Sequence, residues 1–230
     1  MKIGLFGGVV LAVGFAALQS VAQPLGSASA DPVIAAEAQV YRDTIQDWSE
    51  DVAAIAAAFA RDRFARDRLV ATMQRLGPQG TAFAAAASGD IQRIDAENTR
   101  VLKEIIERRG WPALFAFDPR LASQAHLIVV HSPDPAFQAE TLTAYEALIR
   151  EGSGPSPQSY ATLFDDVALA HGRLQRFGTN LECMDGRYQP TQSEDLATLD
   201  DRRRTVGLAP IAAYAAEIEQ MYGPCPTAGG

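Results

Sequence analysis

Apolar residues recur three and four apart along most of this chain, the spacing of helices with one buried face. Asp31-Pro32 opens the first predicted helix, with Asp31 as cap and Pro32 at the first helical position, and it runs towards Trp48. A second long helix is expected from about Glu50 to Leu76, where Gly77-Pro78 stops it. Its apolar face reads Val52, Ile55, Phe59, Leu69, Met73 and Leu76, and the same period lands on Asp62 and Arg66. Residues 77–89 read as a Gly- and Ala-rich connection. The next helix spans about Gly89 to Arg109, stopped by Gly110 with Pro112 just beyond; Trp111 anchors that corner in the core. Its core face is Ile91, Ile94, Val101, Leu102 and Ile105, with Asp95 and Asn98 on or beside it.

From Leu121 to His131 the chain is apolar almost all round, as in a helix with neighbours on every side, and His131 falls in its last turn. Asp134 and Pro135 restart the helical pattern as cap and first position. Gln138 lies one residue past the capping-box site, so capping does not account for it; it lines up with Leu142, Tyr145 and Ile149 on the core face. Glu151 to Pro155 is a loop, and Ser156-Pro157 starts a helix expected to reach Gly178. That helix carries the stripes Leu163, Val167, Ala170, Leu174 and Phe164, Ala168, His171, Gln175, flanked by Asp165. Periodicity is then lost through Asp200, with a short hairpin near 180–189 as the one β candidate, before a last helix from about Ala209 to Tyr222. The fold class is mainly α: a single-domain helical bundle, residues 31–222, around a buried central helix, with a C-terminal tail at 223–230.

Composition changes this picture at the N-terminus. Residues 1–22 have the three parts of a secretory signal: Lys2, the apolar run Ile3 to Leu18, and Ser20-Val21-Ala22 before Gln23. A second small-residue site, Ala28-Ser29-Ala30, closes a linker at 23–30. The apolar run is shorter than the roughly 20 residues a membrane span needs. The expectation is therefore export, periplasmic or secreted, with no stable membrane insertion after cleavage. A formal charge of -8 without a basic block argues against nucleic acid as a partner. Two cysteines in an exported chain, Cys183 and Cys225, suggest one disulfide, worth roughly 4 kcal/mol by the chain-entropy estimate. A metal or redox pair is the alternative, and the spacing matches no zinc or CxxC pattern.

The polar residues that fall on apolar faces carry the candidate chemistry: Asp62, Arg66, Asp95, Asn98, His131, Gln138 and Gln175, with Asp165 nearby. If their helices surround the central one, they meet in a single cluster. Three uses are open to it. A satisfied hydrogen-bond network could fix helix register. A pocket could bind a small polar ligand, oriented by Asn98, Gln138 and Gln175, with Arg66 suited to an anionic group. An enzyme could use His131 as general base with Asp95 or Asp165 orienting it. A nucleophilic hydrolase finds little support, since Ser153 sits in Gly-Ser-Gly rather than a GxSxG elbow. His126, His131 and His171 have no metal-ligand spacing, so no metal site and no cofactor is indicated, and the pattern sets no oligomeric state.

These residues together resemble a bacterial domain-of-unknown-function family, number six six two four, over roughly Ala56 to Tyr214. The resemblance rests on Asp62-x3-Arg66, Asp95-x2-Asn98, Gly110-Trp111-Pro112, and His131 followed by Phe137-Gln138. It continues through Leu163-x-Asp165, Gln175-x2-Gly178-Thr179, Arg203, and Gly207-Leu208 with Tyr214. Thr179 joins the ligand-side candidates through that motif. The chain departs from the family pattern at Val130, Asp166 and Asn180, where glutamine, arginine and glutamine are usual. The resemblance implies no established reaction, substrate or cofactor.

Overall fold

The computed structural model describes residues 32–225. The signal-like segment, the 23–30 linker, the Asp31 cap and the last five residues lie outside the described residues. The chain divides into two compact units, Met1–Gln46 and Asp47–Gly230. The described part of the first is the opening stretch of helix α1.

Helix α1 runs unbroken over Pro32–Leu76. The expected break between Trp48 and Glu50 is absent because Ser49 alone does not stop a helix; the first true stop signal is Gly77-Pro78. A three-residue 3₁₀ turn, Gly77–Gln79, is all that separates α1 from α2, Gly80–Phe117. The expected connection at 77–89 is thus mostly helix, since its alanines have the highest helix propensity of any residue. Gly110 does interrupt α2, at φ 75 and ψ 156, a backbone that a side chain would strain; helical geometry resumes at Trp111 and continues to Phe117.

Two helices begin at the expected cap and proline, at Pro135 and Pro157, and a third begins on the same signal at Asp118-Pro119, two residues ahead of the expected Leu121. Asp118 accepts the Arg120 and Leu121 amides at the start of α3 (Pro119–Val130), and Asp134 accepts Phe137 N–H at the start of α4 (Pro135–Arg150). Ser156 accepts Ser159 N–H ahead of α5, Pro157–Ala170. Helix α3 is central: it packs on α2, α4 and α5, with Leu121, Ala122, Ala125, Ile128 and Val129 buried. Around it lie Ile55, Leu102, Ile105, Trp111, Leu114, Tyr145, Leu148 and Leu163, all nearly inaccessible. Tyr145 meets Trp111 and Phe115 edge to face there, which fixes the corner after Gly110.

Helix α5 ends eight residues before the expected Gly178, because the backbone amides of 176, 177 and 179 turn back onto Asp165 instead of continuing the helix. Strands β1 (Leu181–Met184) and β2 (Arg187–Pro190) form the expected antiparallel hairpin, with Cys183 opposite Tyr188. A short helix α6, Leu199–Thr205, follows where no periodicity had marked one; with one apolar residue in seven it has too little pattern to read. Helix α7, Ile211–Tyr222, packs on β2, and a disulfide joins Cys183 to Cys225 just beyond it. The architecture is mainly α with one two-stranded sheet. Among the described residues no helix is long and apolar enough to cross a membrane.

Candidate functional site

Four of the polar residues picked out by periodicity do meet, on the side of the second unit where α1, α2 and the end of α3 converge. Asp62 and Arg66 stand one turn apart on α1, Asp95 projects from α2, and His131 is the residue that closes α3. The Asp62 carboxylate lies 2.8 Å from His131 Nδ1 and 3.5 Å from Arg66 Nη1. Arg66 Nη2 reaches Asp95 Oδ2 at 3.1 Å, and Arg66 Nε points at His131 Nε2 from 3.4 Å.

These contacts assign the imidazole. An arginine Nε can only donate, so His131 Nε2 accepts and carries the lone pair; Nδ1 then bears the proton and gives it to Asp62. In that tautomer the nitrogen towards Arg66 carries the lone pair and the rear nitrogen is held by a carboxylate. Asp62 is 1% exposed at its side chain, whereas His131 and Arg66 are 27% and 25% exposed, so the pair that can meet a visitor lies above the acids that anchor it. Burial raises the Asp95 carboxyl, with the Arg66 guanidinium opposing the rise. Beside this group, Arg61 Nε and Nη2 hold Asn98 Oδ1 at 3.2 and 3.0 Å, a pairing that the sequence pattern did not suggest because Arg61 lies off the apolar stripe.

The hydrogen-bond inventory does not close. Asp62 Oδ2, Asp95 Oδ1, Arg66 Nη1 and Asn98 Nδ2 are buried with no hydrogen-bond partner among the described residues. Asp166 adds a further acid. Its Oδ1 accepts from Asn180 Nδ2 at 2.8 Å, and its Oδ2 has no hydrogen-bond partner among the described residues. Burial pushes its carboxyl up to about 6, and the His131 ring lies within electrostatic reach. A cleft of about 510 Å³, lined by Ala96, Thr99, Lys103, Pro133 and Asp134, lies beside the turn that follows His131, and none of Asp62, Arg66, Asp95 and His131 lines it.

The other candidates sit elsewhere. Gln138 donates to the Val129 and Val130 carbonyls at 3.1 and 3.2 Å, closing the open end of α3 rather than facing His131. Asp165 does not orient His131: it is fully buried, and its two oxygens receive the amides of Arg176, Phe177 and Thr179 and the Thr179 hydroxyl. Gln175, also fully buried, bonds the Asn180 and Thr191 carbonyls and accepts Asn180 N–H, pinning the base of the hairpin. Arg203 completes that latch, donating to the carbonyls of Phe177, Gly178 and Ala209. Gly178, at φ 61, gives these carbonyls room; a Cβ there would press on Leu199 and Pro190 at 3.2 Å. His126 is a core residue beside Tyr145, its ring held down to about 4 by burial, and His171 is exposed. Among the described residues no group of three or more His, Cys, Asp and Glu side chains is arranged to hold a metal ion.

One family model matches, over residues 73–225, described as a family of unknown function (DUF6624). The match takes in Asp95, Asn98 and His131 and begins after Asp62 and Arg66. No curated protein and no solved structure matches the chain.

Proposed function

The chain belongs to the DUF6624 family, whose function is unknown, and within it we propose a small-molecule-binding role: an exported helical domain that takes a small polar ligand at Asp62, Arg66, Asp95 and His131. The observation that carries this is the open inventory beneath an accessible pair. Buried polar groups with a purely architectural role are nearly always satisfied, because each orphan costs about 1–3 kcal/mol. Here two carboxylate oxygens and the Asn98 amide N–H₂ lack hydrogen-bond partners among the described residues, and Arg66 Nη1 has only its 3.5 Å ion pair with Asp62, beside side chains that are a quarter exposed.

A thermal-shift screen of small polar metabolites and esters tests the reading, run on the parent chain and on His131→Gln. The glutamine keeps hydrogen-bonding capacity and cannot take up a proton near neutral pH. A ligand at about 100 times its Kd adds roughly 2.7 kcal/mol, a rise of about 5–10 °C for a chain of this size. The expected outcome is at least one such rise in the parent and its loss in a folded His131→Gln. If the variant keeps every response of the parent, His131 has no part in binding and the cluster is architecture.

A second reading, acid–base catalysis of the hydrolase type, is favoured by one contact, the 2.8 Å bond from His131 Nδ1 to Asp62. Asp62 would orient the ring, in place of the Asp95 or Asp165 expected from sequence, while Nε2 takes a proton from substrate or water. Arg66 would have to swing off Nε2, which its partial exposure and the 3.4 Å contact permit. Turnover of any ester in the same screen, abolished by His131→Gln, would select this reading.

A further inference from the structure

The group around His131 leaves more acceptors than donors unmet. Sequence suits Arg66 to an anionic ligand, but in the fold its guanidinium is already shared between two acids, with Asp62 Oδ1 at 3.5 Å and Asp95 Oδ2 at 3.1 Å. Each acid gives Arg66 one oxygen and keeps the other. Those two, Asp62 Oδ2 and Asp95 Oδ1, are buried with no hydrogen-bond partner among the described residues. A third open oxygen, Asp166 Oδ2, comes from α5, which packs on α3 and brings the carboxylate within electrostatic reach of His131. On the donor side, Asn98 Nδ2 is unmet, and Arg66 Nη1 has its ion pair with Asp62. Arg61 enters the group only through Asn98 Oδ1 and is itself exposed.

Resting on the reading of this cluster as a ligand site, we propose that its ligand is a small organic amine, protonated at neutral pH, that also carries a hydroxyl or carbonyl oxygen, as in an amino alcohol or amino sugar. The ammonium group gives N–H donors to the open oxygens of Asp62, Asp95 and Asp166, and the ligand oxygen accepts from Asn98 Nδ2. Charge selects an ammonium over a neutral donor, because hydrogen bonds to an ionised partner are roughly twice as strong as neutral ones. An anion is disfavoured: it would have to draw Arg66 from two acids and then sit among three carboxylates. Among the described residues these acids are not grouped to hold a metal ion. Their open oxygens stand on three helices, α1, α2 and α5, which suits donors carried on a small molecule better than a single ion. Arg66, a quarter exposed, is the side chain that moves aside as the ammonium enters.

Titration calorimetry of the purified full chain at neutral pH tests this. The probes are ethanolamine, serinol and glucosamine, each beside its N-acetyl derivative, with ethylamine and cyclohexylamine as amines without oxygen and glycolate as the anion. At least one hydroxylated amine should bind, and N-acetylation, which removes its charge, should weaken it about 10-fold or more. The amines without oxygen should bind more weakly than their hydroxylated counterparts. Asp166→Asn keeps an acceptor for Asn180 and removes one charge. It should weaken the amine about 10-fold and leave the N-acetyl derivative unchanged, which a purely structural role for Asp166 would not produce. Neutral or anionic compounds that bind the parent and not His131→Gln, with no amine bound, overturn this proposal and leave the ligand site standing. An amine held as tightly by Asp166→Asn as by the parent removes Asp166 from the site. Silence from every compound here and in the thermal-shift screen overturns both readings.

Discussion

Asp166 shows what position alone does to a side chain. Its carboxyl rises from an ordinary 3.8 to about 6 because burial penalises the charged form, with the Asn180 amide recovering part of the loss. Between those values the folded chain holds a proton that the unfolded chain has released. The resulting stabilisation is complete below about pH 4 and vanishes as pH rises through about 6. Asp166→Asn keeps the acceptor for Asn180 and removes the titration. It should therefore be more stable than the parent by about 3 kcal/mol at pH 7, with the gap narrowing towards pH 4. Urea melts at the two pH values measure this, and an unchanged gap would refute it. Asp166 was not legible as a site residue, since it lies beside the apolar stripe and not on it. Asp62, Arg66, Asp95 and His131 were legible, as polar residues at apolar positions. The same signal also selected Gln138, Asp165 and Gln175, whose partners are backbone groups. Helical period reports that a side chain is buried; it does not report what the side chain meets.

Elements were readable wherever their ends are written in side-chain chemistry. Pro135 and Pro157 each follow a capping Asp or Ser and each opens a helix where expected, while Pro119 behind Asp118 opens α3 on the same signal, which the expected start at Leu121 passed over. The end of α5 was not readable, because a buried acid eleven to fourteen residues upstream sets it, and periodicity carries no such long reach. Asp165 thus serves as the post on which the chain from Arg176 to Thr179 is hung, and Gln175 and Arg203 secure the segments that follow. Asp165→Asn would turn an amide N–H₂ towards N–H donors that now share a carboxylate. A cost of about 3 kcal/mol is expected, within the range for charge-assisted bonds left unmade. Hydrogen exchange should show protection lost at the amides of Arg176, Phe177 and Thr179 while α2, α3 and α4 keep theirs. A variant within about 0.5 kcal/mol of the parent, with those amides still protected, would remove Asp165 from that role.

For the whole molecule, cysteine placement and the N-terminal segment bear on the same question, the compartment. The Cys183–Cys225 bridge closes a loop of 42 residues. It ties the hairpin to the residue that follows α7, two elements otherwise joined by packing of α7 on β2 and by Tyr188 donating to the Gly223 carbonyl. By the chain-entropy estimate a loop of this length is worth roughly 4 kcal/mol, or about 10 °C in melting temperature for a chain of this size. Disulfides of this kind are commonest where thiols are oxidised and rare in a reducing cytosol. Export by the apolar run after Lys2, an expectation from sequence, would deliver the chain to such a place. Protein recovered from the periplasm or medium should therefore begin at Gln23 or Asp31 and show essentially no free thiol when denatured without reductant. Reduction should lower its melting temperature by about 10 °C, and the same chain retained in a reducing cytoplasm should show two thiols and melt at the lower temperature. An intact Met1 on oxidised, soluble cytoplasmic protein would separate the disulfide from export. A melting temperature indifferent to reductant would show that packing of α7 on the hairpin holds the C-terminus without the bond.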